Sequence, residues 1–240
     1  MPVPDLDPEK LLAAEAAVQR VRPGMRLALG TGSTAAFAVR ALADRFPDGG
    51  KLHAVASSAA TEWLARELGL SVGPLVPRTT FDLMIDGADE VAPTLDLTKG
   101  GGGALFREKY LARLAKEVVI VVDHTKLVTH LGTRAAIPIE VVPWARPTLV
   151  AQLEDRGFGS LVRTIAGTDQ PFLTDNGNEI VDLRPSAPVP DPAALDRELH
   201  GFMGVVETGI FAGMTHRVFV GLPDLTVQEI LPHHVAAAGA

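Results

Sequence analysis

RLALGTGSTAAFAVRALADR, residues Arg26–Arg45, decides how this chain is built. A short apolar run, Arg26–Leu29, meets a glycine turn and passes directly into a helical pattern at Thr34–Arg45. Further apolar runs stand at Leu52–Ala56, Asp82–Ile85 and Val118–Val122, with helical patterns at Ala59–Leu68 and Ala104–Lys116. Strand-like and helical segments that alternate in this way predict an α/β fold, a parallel sheet covered by helices.

Ligands of such sheets bind beyond the carboxyl ends of the strands. The residues there are Gly30-Thr31-Gly32-Ser33-Thr34, Ser57-Ser58, Asp86-Gly87-Ala88-Asp89 and Asp123. They are polar or small in every case, so the strand ends are the expected site. Upstream, Asp7-Pro8 reads as an N-cap and first helical residue of an Ala/Leu-rich helix ending near Pro23-Gly24, with Lys10 in its first turn.

After about Gly132 the pattern changes. IPIEVV, a helix across Pro147–Arg156 closed by Gly157, SLVRTI, and a hairpin with arms FLT and EIVDL around Asp175-Asn176-Gly177-Asn178 read as a second, smaller α+β domain. RPSAPVPDP is an exposed spacer before a helix at Ala193–His200. The runs Gly204–Phe211 and Arg217–Gly221 are expected back in the first sheet, which divides the chain into residues 1–131 with 206–240, and 132–205. The terminal VAAAGA is expected to fray.

The glycine turn fits G-x-G-x-x-A between a strand and a helix, the setting of a dinucleotide site. Such a site needs an acid at the end of the second strand, where this chain has Ser57-Ser58. The turn also offers Thr31, Ser33, Thr34 and N–H groups at a helix start, a cradle for one phosphate or for sugar hydroxyls. A purely structural turn is the third reading.

The chemistry-bearing residues concentrate in DLMIDGADE, Asp82–Glu90, and KGGGGALFREK, Lys99–Lys109. Asp86 and Asp89 stand three apart after a strand; they are substrate contacts or ordinary capping acids. A divalent metal shared with Glu90 is disfavoured, because calcium-loop spacing is absent and no histidine lies within thirty residues. Glu108, between Arg107 and Lys109, is a solvated helix residue or, given the adjacent glycines, a base made more basic by partial burial. Lys99 can stabilise an oxyanion or be a surface lysine. Lys126, three past Asp123, can hold substrate charge or pair with that aspartate. The histidines, including His233 and His234, show no metal-ligand spacing.

The whole chain narrows the classes. Its 240 residues are 47% hydrophobic, enough for a sizeable core, and carry a net charge of −7. No run of more than two basic residues exists, so a nucleic-acid partner is not expected. Neither a signal peptide nor an apolar run long enough for a membrane span is present, and a cytoplasmic protein is expected. The absence of cysteine excludes disulfides and a thiolate nucleophile.

Taken together in order, GTGST, DGADE, KGGGGAL followed by REK, the D-x-x-K of Asp123–Lys126, and TDNGN at Thr174–Asn178 resemble ribose-5-phosphate isomerase of the A type over essentially the full length. The resemblance implies interconversion of D-ribose 5-phosphate and D-ribulose 5-phosphate in the non-oxidative pentose phosphate pathway, without metal or organic cofactor. It implies a homodimer or larger homo-oligomer and a Rossmann-like main domain. Glu108 matches the base that moves a proton between C1 and C2. Asp86 and Asp89 match acids contacting sugar hydroxyls, and Lys99 with Gly100, Gly101 and Gly102 matches the loop holding the reacting oxygens. Thr31, Gly32, Ser33, Thr34, Gly87, Ala88 and Lys126 match substrate-binding positions, and Lys10 aligns by spacing with a lysine associated with the phosphate. His124 and Phe106 depart from the family pattern.

Two other classes compete on sequence. A sugar-phosphate-sensing module would keep the cradle without the chemistry, and would normally carry a DNA-binding segment for which the start of the chain has only one helix. A CoA transferase would need a nucleophilic glutamate, and an amino-sugar-phosphate deaminase would release ammonia.

Overall fold

A computed structural model describes residues 6–232; VAAAGA, His233 and His234 lie outside the described residues. In chain order the first half forms α1 (Asp7–Val18), β1 (Arg26–Leu29), α2 (Ser33–Arg45), β2 (His53–Ala56), α3 (Ala59–Glu67), β3 (Leu83–Asp86), β4 (Glu90–Val91), β5 (Leu97–Thr98), α4 (Leu105–Leu114) and β6 (Val118–Asp123). A 3-10 turn at His124–Lys126 leads to β7 (Ile137–Val141), α5 (Arg146–Asp155), β8 (Gly159–Val162), β9 (Glu179–Arg184), α6 (Pro192–His200), β10 (Val205–Thr208), β11 (Ile210–Phe211), β12 (Arg217–Gly221) and β13 (Val227–Ile230).

The main sheet has the order β13-β12-β6-β3-β1-β2. All its neighbours run parallel except β13, which is antiparallel to β12. Alternation along its strands fills both faces: Leu27, Leu29, Ile85, Val119 and Val121 pack with α1 and α2 residues such as Ala17 and Leu42. Ala28, Met84, Ile120, Val122 and Val220 face the other way, toward Leu111 of α4 and Phe211. Burial on both faces explains why these strands read as continuous apolar runs. From β1 the sheet grows one way to β2 and the other way to β3, so the ends of β1 and β3 flank a topological switch point, where α/β sheets bind ligands.

A separate four-stranded antiparallel sheet, β10-β7-β9-β8, is covered by α5 and α6 through Leu149, Leu153 and Leu199. A three-stranded sheet, β11-β5-β4, takes two strands from the segment between β3 and β6 and one from the segment between β10 and β12. The architecture is therefore α/β with a smaller antiparallel-sheet part. Among the described residues no helix is long and apolar enough to cross a membrane.

Some expectations are corrected. Of the two runs expected to rejoin the main sheet, only Arg217–Gly221 does, pairing with β6 as β12. Val205–Thr208 stays with β7 through Thr208↔Ile139, and Ile210–Phe211 pairs with β5. The two strands part at Gly209, whose N–H donates to Pro138 O and whose carbonyl accepts from Lys99 N; a Cβ there would lie 2.3 Å from Lys99 O. The FLT arm is no strand: Leu173 makes a single bridge to Glu179, and β9 takes β8 as its partner instead. At the first helix Asp7 is the opening helical residue rather than the cap, its carboxylate 3.0 Å from Lys10 Nζ, and the helix ends at Val18, short of Pro23-Gly24.

Candidate active site

β3 runs apolar to Ile85 and delivers Asp86 to its last position, entirely buried at the switch point. Asp86 fits there because Gly30 carries no side chain. Its Oδ1 accepts hydrogen bonds from Gly87 N (2.8 Å) and Thr31 N (3.1 Å). Its Oδ2 lies 2.8 Å from Lys99 Nζ, and that ammonium lies 3.3 Å from Glu108 Oε2 and donates to Gly87 O at 2.7 Å. Lys99 leaves β5 directly into the glycines, and Glu108 is in the first turn of α4 directly after them. The loop thus folds the lysine and the glutamate back onto the aspartate in one buried row, each at most 3% exposed.

Charge in this row is unbalanced, two acids to one ammonium. Burial, reinforced by the negative charge of Asp86, pushes Glu108 up to about 8. Burial also raises Asp86 against the opposing pull of Lys99. Burial alone would lower the lysine, but the charges of Asp86 and Glu108 outweigh it and hold the ammonium above its ordinary range. Glu108 Oε2 meets no hydrogen-bond donor in good geometry among the described residues. A carboxylate with a pKa near neutrality and an open lone pair is suited to taking and returning a proton.

Above the row opens a polar cleft lined by Thr31, Gly32, Ser33, Thr34, Gly87, Ala88, Asp89, Lys99, Gly100, Gly101, Gly102, Glu108 and Lys126. One wall is the start of α2, where Gly32 at φ 112° begins the helix without a side-chain cap, leaving N–H groups of the first turn to face an anion. Lys126, on the 3-10 turn after β6, adds a positive charge to the cleft, and among the described residues no carboxylate lies within ion-pair distance of it. The alternative reading of Lys126, a pair with Asp123, is absent: that acid caps its own turn through Thr125 N and Oγ1. The opposite wall is the glycine loop, where Asp89 Oδ2 accepts from Gly101 N at 2.7 Å.

Two residues singled out by sequence stand apart from the cleft. Asp86 lies beneath it, orienting Lys99, Thr31 and Gly87 rather than lining the space. Lys10 does not line it either, and its ammonium is paired with Asp7. Glu90 is spoken for structurally, accepting from Thr98, Gly132, Arg134 and Ala135, so it is not a third metal ligand with Asp86 and Asp89. At the end of β2, where a dinucleotide site needs an acid, Ser57 and Ser58 instead hydrogen-bond the Thr31 hydroxyl at 2.7 and 2.8 Å. Sequence reading missed Thr61, which joins this hydroxyl cluster and donates to Gly30 O, and Arg163, which reaches the glycine loop from the small sheet. Neither stands in a motif that would flag it.

The profile of the family "Ribose 5-phosphate isomerase A (phosphoriboisomerase A)" matches residues 53–224. The chain is a member of that family. A ribose-5-phosphate isomerase A of Deinococcus radiodurans is 46% identical over 228 residues, spanning 94% of this chain and 99% of that relative. One from Chloroflexus aurantiacus is 46% identical over 90% of both. Among solved structures, ribose 5-phosphate isomerase A from Methanocaldococcus jannaschii superposes with a TM-score of 0.88 at 35% identity, covering 95% of this chain and all of that one. A D-ribose-5-phosphate isomerase in complex with phospho-erythronic acid gives 0.90 at 32% identity, again covering 95% of this chain and all of that one. Membership in the ribose 5-phosphate isomerase A family accounts for the ordered sequence blocks, of which GTGST, DGADE, the glycine block and Lys126 meet at this cleft while TDNGN lies outside its lining.

Proposed function

We infer that the chain interconverts D-ribose 5-phosphate and D-ribulose 5-phosphate through an enediolate. The observation that carries this is the row Asp86–Lys99–Glu108 at the floor of a cleft whose far wall is an anion cradle. Glu108 removes the C2 proton of the open-chain aldose and returns it to C1 while the O2 hydroxyl proton passes to O1, so no atom is gained or lost and no electron acceptor is required. The Lys99 ammonium and the Gly102 N–H, which meets no acceptor among the described residues, stabilise the oxygens on which charge develops. Asp89 faces the sugar hydroxyls. The first turn of α2 and Lys126 hold the phosphate, and that remote binding orients the reacting end. The complex of a structural neighbour with phospho-erythronic acid, a phosphorylated sugar acid, fits a site of this kind.

The same reading includes no metal, no organic cofactor, a homodimer or larger homo-oligomer, and a cytoplasmic setting. It keeps the division of the chain into a catalytic part and a small one built on residues from 132 onward, with the small part extended through Thr208 because β10 belongs to its sheet. The decisive experiment follows ribulose 5-phosphate formation by purified protein in excess chelator, beside Glu108→Gln. Chelator-resistant turnover lost in the variant is the expected result; saturable sugar-phosphate binding without turnover would overturn the assignment.

A further inference from the structure

Four consecutive glycines have more backbone freedom than other tetrapeptides and lose more entropy when ordered. Gly100 and Gly103 sit at φ 105° and 78°, and within the loop a single hydrogen bond, Gly103 N to Gly100 O at 2.9 Å, closes the turn. Something outside the loop must hold it. Asp89 takes the Gly101 N–H from the main-sheet side. From the small sheet Arg163, directly beyond β8, donates through Nη1 to Gly100 O at 2.8 Å and to Gly101 O at 3.0 Å. Asp182 on β9 holds the other edge of that guanidinium, accepting from Nε at 2.9 Å and Nη2 at 2.5 Å. Three nitrogens in a rigid plane thus tie two carbonyls to one carboxylate, a geometry that an ammonium cannot reproduce. Phe172, whose N–H donates to Arg163 O, fills the space beside Gly103, where a Cβ would meet its ring at 2.4 Å.

We propose that Arg163, anchored by Asp182, is a positioning residue for the isomerisation: it draws the Gly100 and Gly101 carbonyls out of the cleft and so keeps the N–H edge of the loop toward the reacting oxygens. A carbonyl turned inward would face the developing enediolate with its negative end, so the loss falls on the transition state more than on the bound substrate. The proposal rests on the isomerase reading.

The test compares wild type with Arg163→Lys, Arg163→Ala and Asp182→Asn for kcat, KM, thermal midpoint and amide exchange at Gly100–Gly103. Misplacement of a catalytic wall by an ångström costs about 100-fold, so Arg163→Ala is expected to lose kcat on that scale with KM nearly unchanged. Arg163→Lys should recover little of it, Asp182→Asn should lose part, loop amides should exchange faster in all three, and millimolar guanidinium should restore some kcat to Arg163→Ala. Unchanged kcat in the variants, full recovery by lysine, or unchanged loop exchange would overturn the proposal, as would a lowered thermal midpoint with kcat per folded molecule intact. If Arg163→Ala does not fold, Arg163→Lys and Asp182→Asn carry the same comparison. Wild type inactive on ribose 5-phosphate would sink the isomerase reading instead, and the exchange measurement would still report whether Arg163 restrains the loop.

Discussion

Gly30 and Asp86 stand so close that a Cβ on the glycine would lie 1.9 Å from Asp86 Oδ1 and 2.0 Å from its Cγ. The glycine is therefore a requirement of the neighbouring strand, whose terminal carboxylate occupies the space a side chain would need. Gly30→Ala should push Asp86 off Lys99 and reduce kcat by about 100-fold, the scale of an ångström misplacement, with a stability loss of about 1–3 kcal/mol from overpacking. Steady-state kinetics and urea denaturation of the variant check both figures.

Glu108→Gln keeps the shape of the site and removes the proton acceptor. Turnover should fall by roughly 10²–10⁴-fold while sugar-phosphate affinity, read by calorimetry, stays near wild type. Loss of binding instead of turnover would make Glu108 a ligand contact.

The pH profile follows from the raised carboxyl. The base works only when deprotonated, and burial holds Glu108 up to about 8. Below that value kcat/KM should rise about tenfold per pH unit and level off above it. A flat profile from pH 6 to 9 would contradict the assignment.

The ends of the sheet strands were readable from residue type alone: apolar runs stop at Gly30, Ser57, Asp86 and Asp123, and those stops are where the fold brings polar groups together. The glycine block beside Lys99 and Glu108 was equally visible, because few local structures need four glycines. Other features were not. The burial of Lys99 is one of them: it is imposed by β11 closing over β5, a pairing between residues far apart in sequence. Gly204–Phe211 reads as one apolar run, yet Gly209 splits it between two sheets because the Lys99 backbone leaves no room for a side chain. Arg163 is an unremarkable basic residue until β8 is set beside β9 and Asp182. Local pattern encodes periodicity and turns; it does not encode which distant backbone will lie alongside.

Lys99→Met would leave Asp86 and Glu108 buried without their counter-charge. Removing one partner of a buried ion pair costs about 3–5 kcal/mol, and a denaturation curve at pH 8 should show a loss of that size. The sign with pH is fixed: without the ammonium both acids are raised further in the folded state than in the unfolded chain, so the folded state holds more protons and the deficit grows from pH 5 to pH 9.

Lys126→Ala removes a cation from the phosphate end and leaves the proton-transfer row untouched. A charge-assisted hydrogen bond is worth about 1.5–3 kcal/mol, so KM should rise roughly 10- to 100-fold with a much smaller change in kcat. Raising ionic strength should increase KM less in the variant than in wild type. Equal loss in both parameters would place Lys126 among the reacting groups.

The buried row comes from one unbroken stretch, Asp86–Glu108, whereas the anion cradle and Lys126 come from the ends of β1 and β6. Reactivity is thus encoded as a single cassette and grip as a set of scattered strand tips. Changes confined to Lys126 or the first turn of α2 bear on how a phosphorylated sugar is held, whereas changes at Gly30 or Arg163, also outside the cassette, still reach the chemistry through Asp86 and the glycine loop.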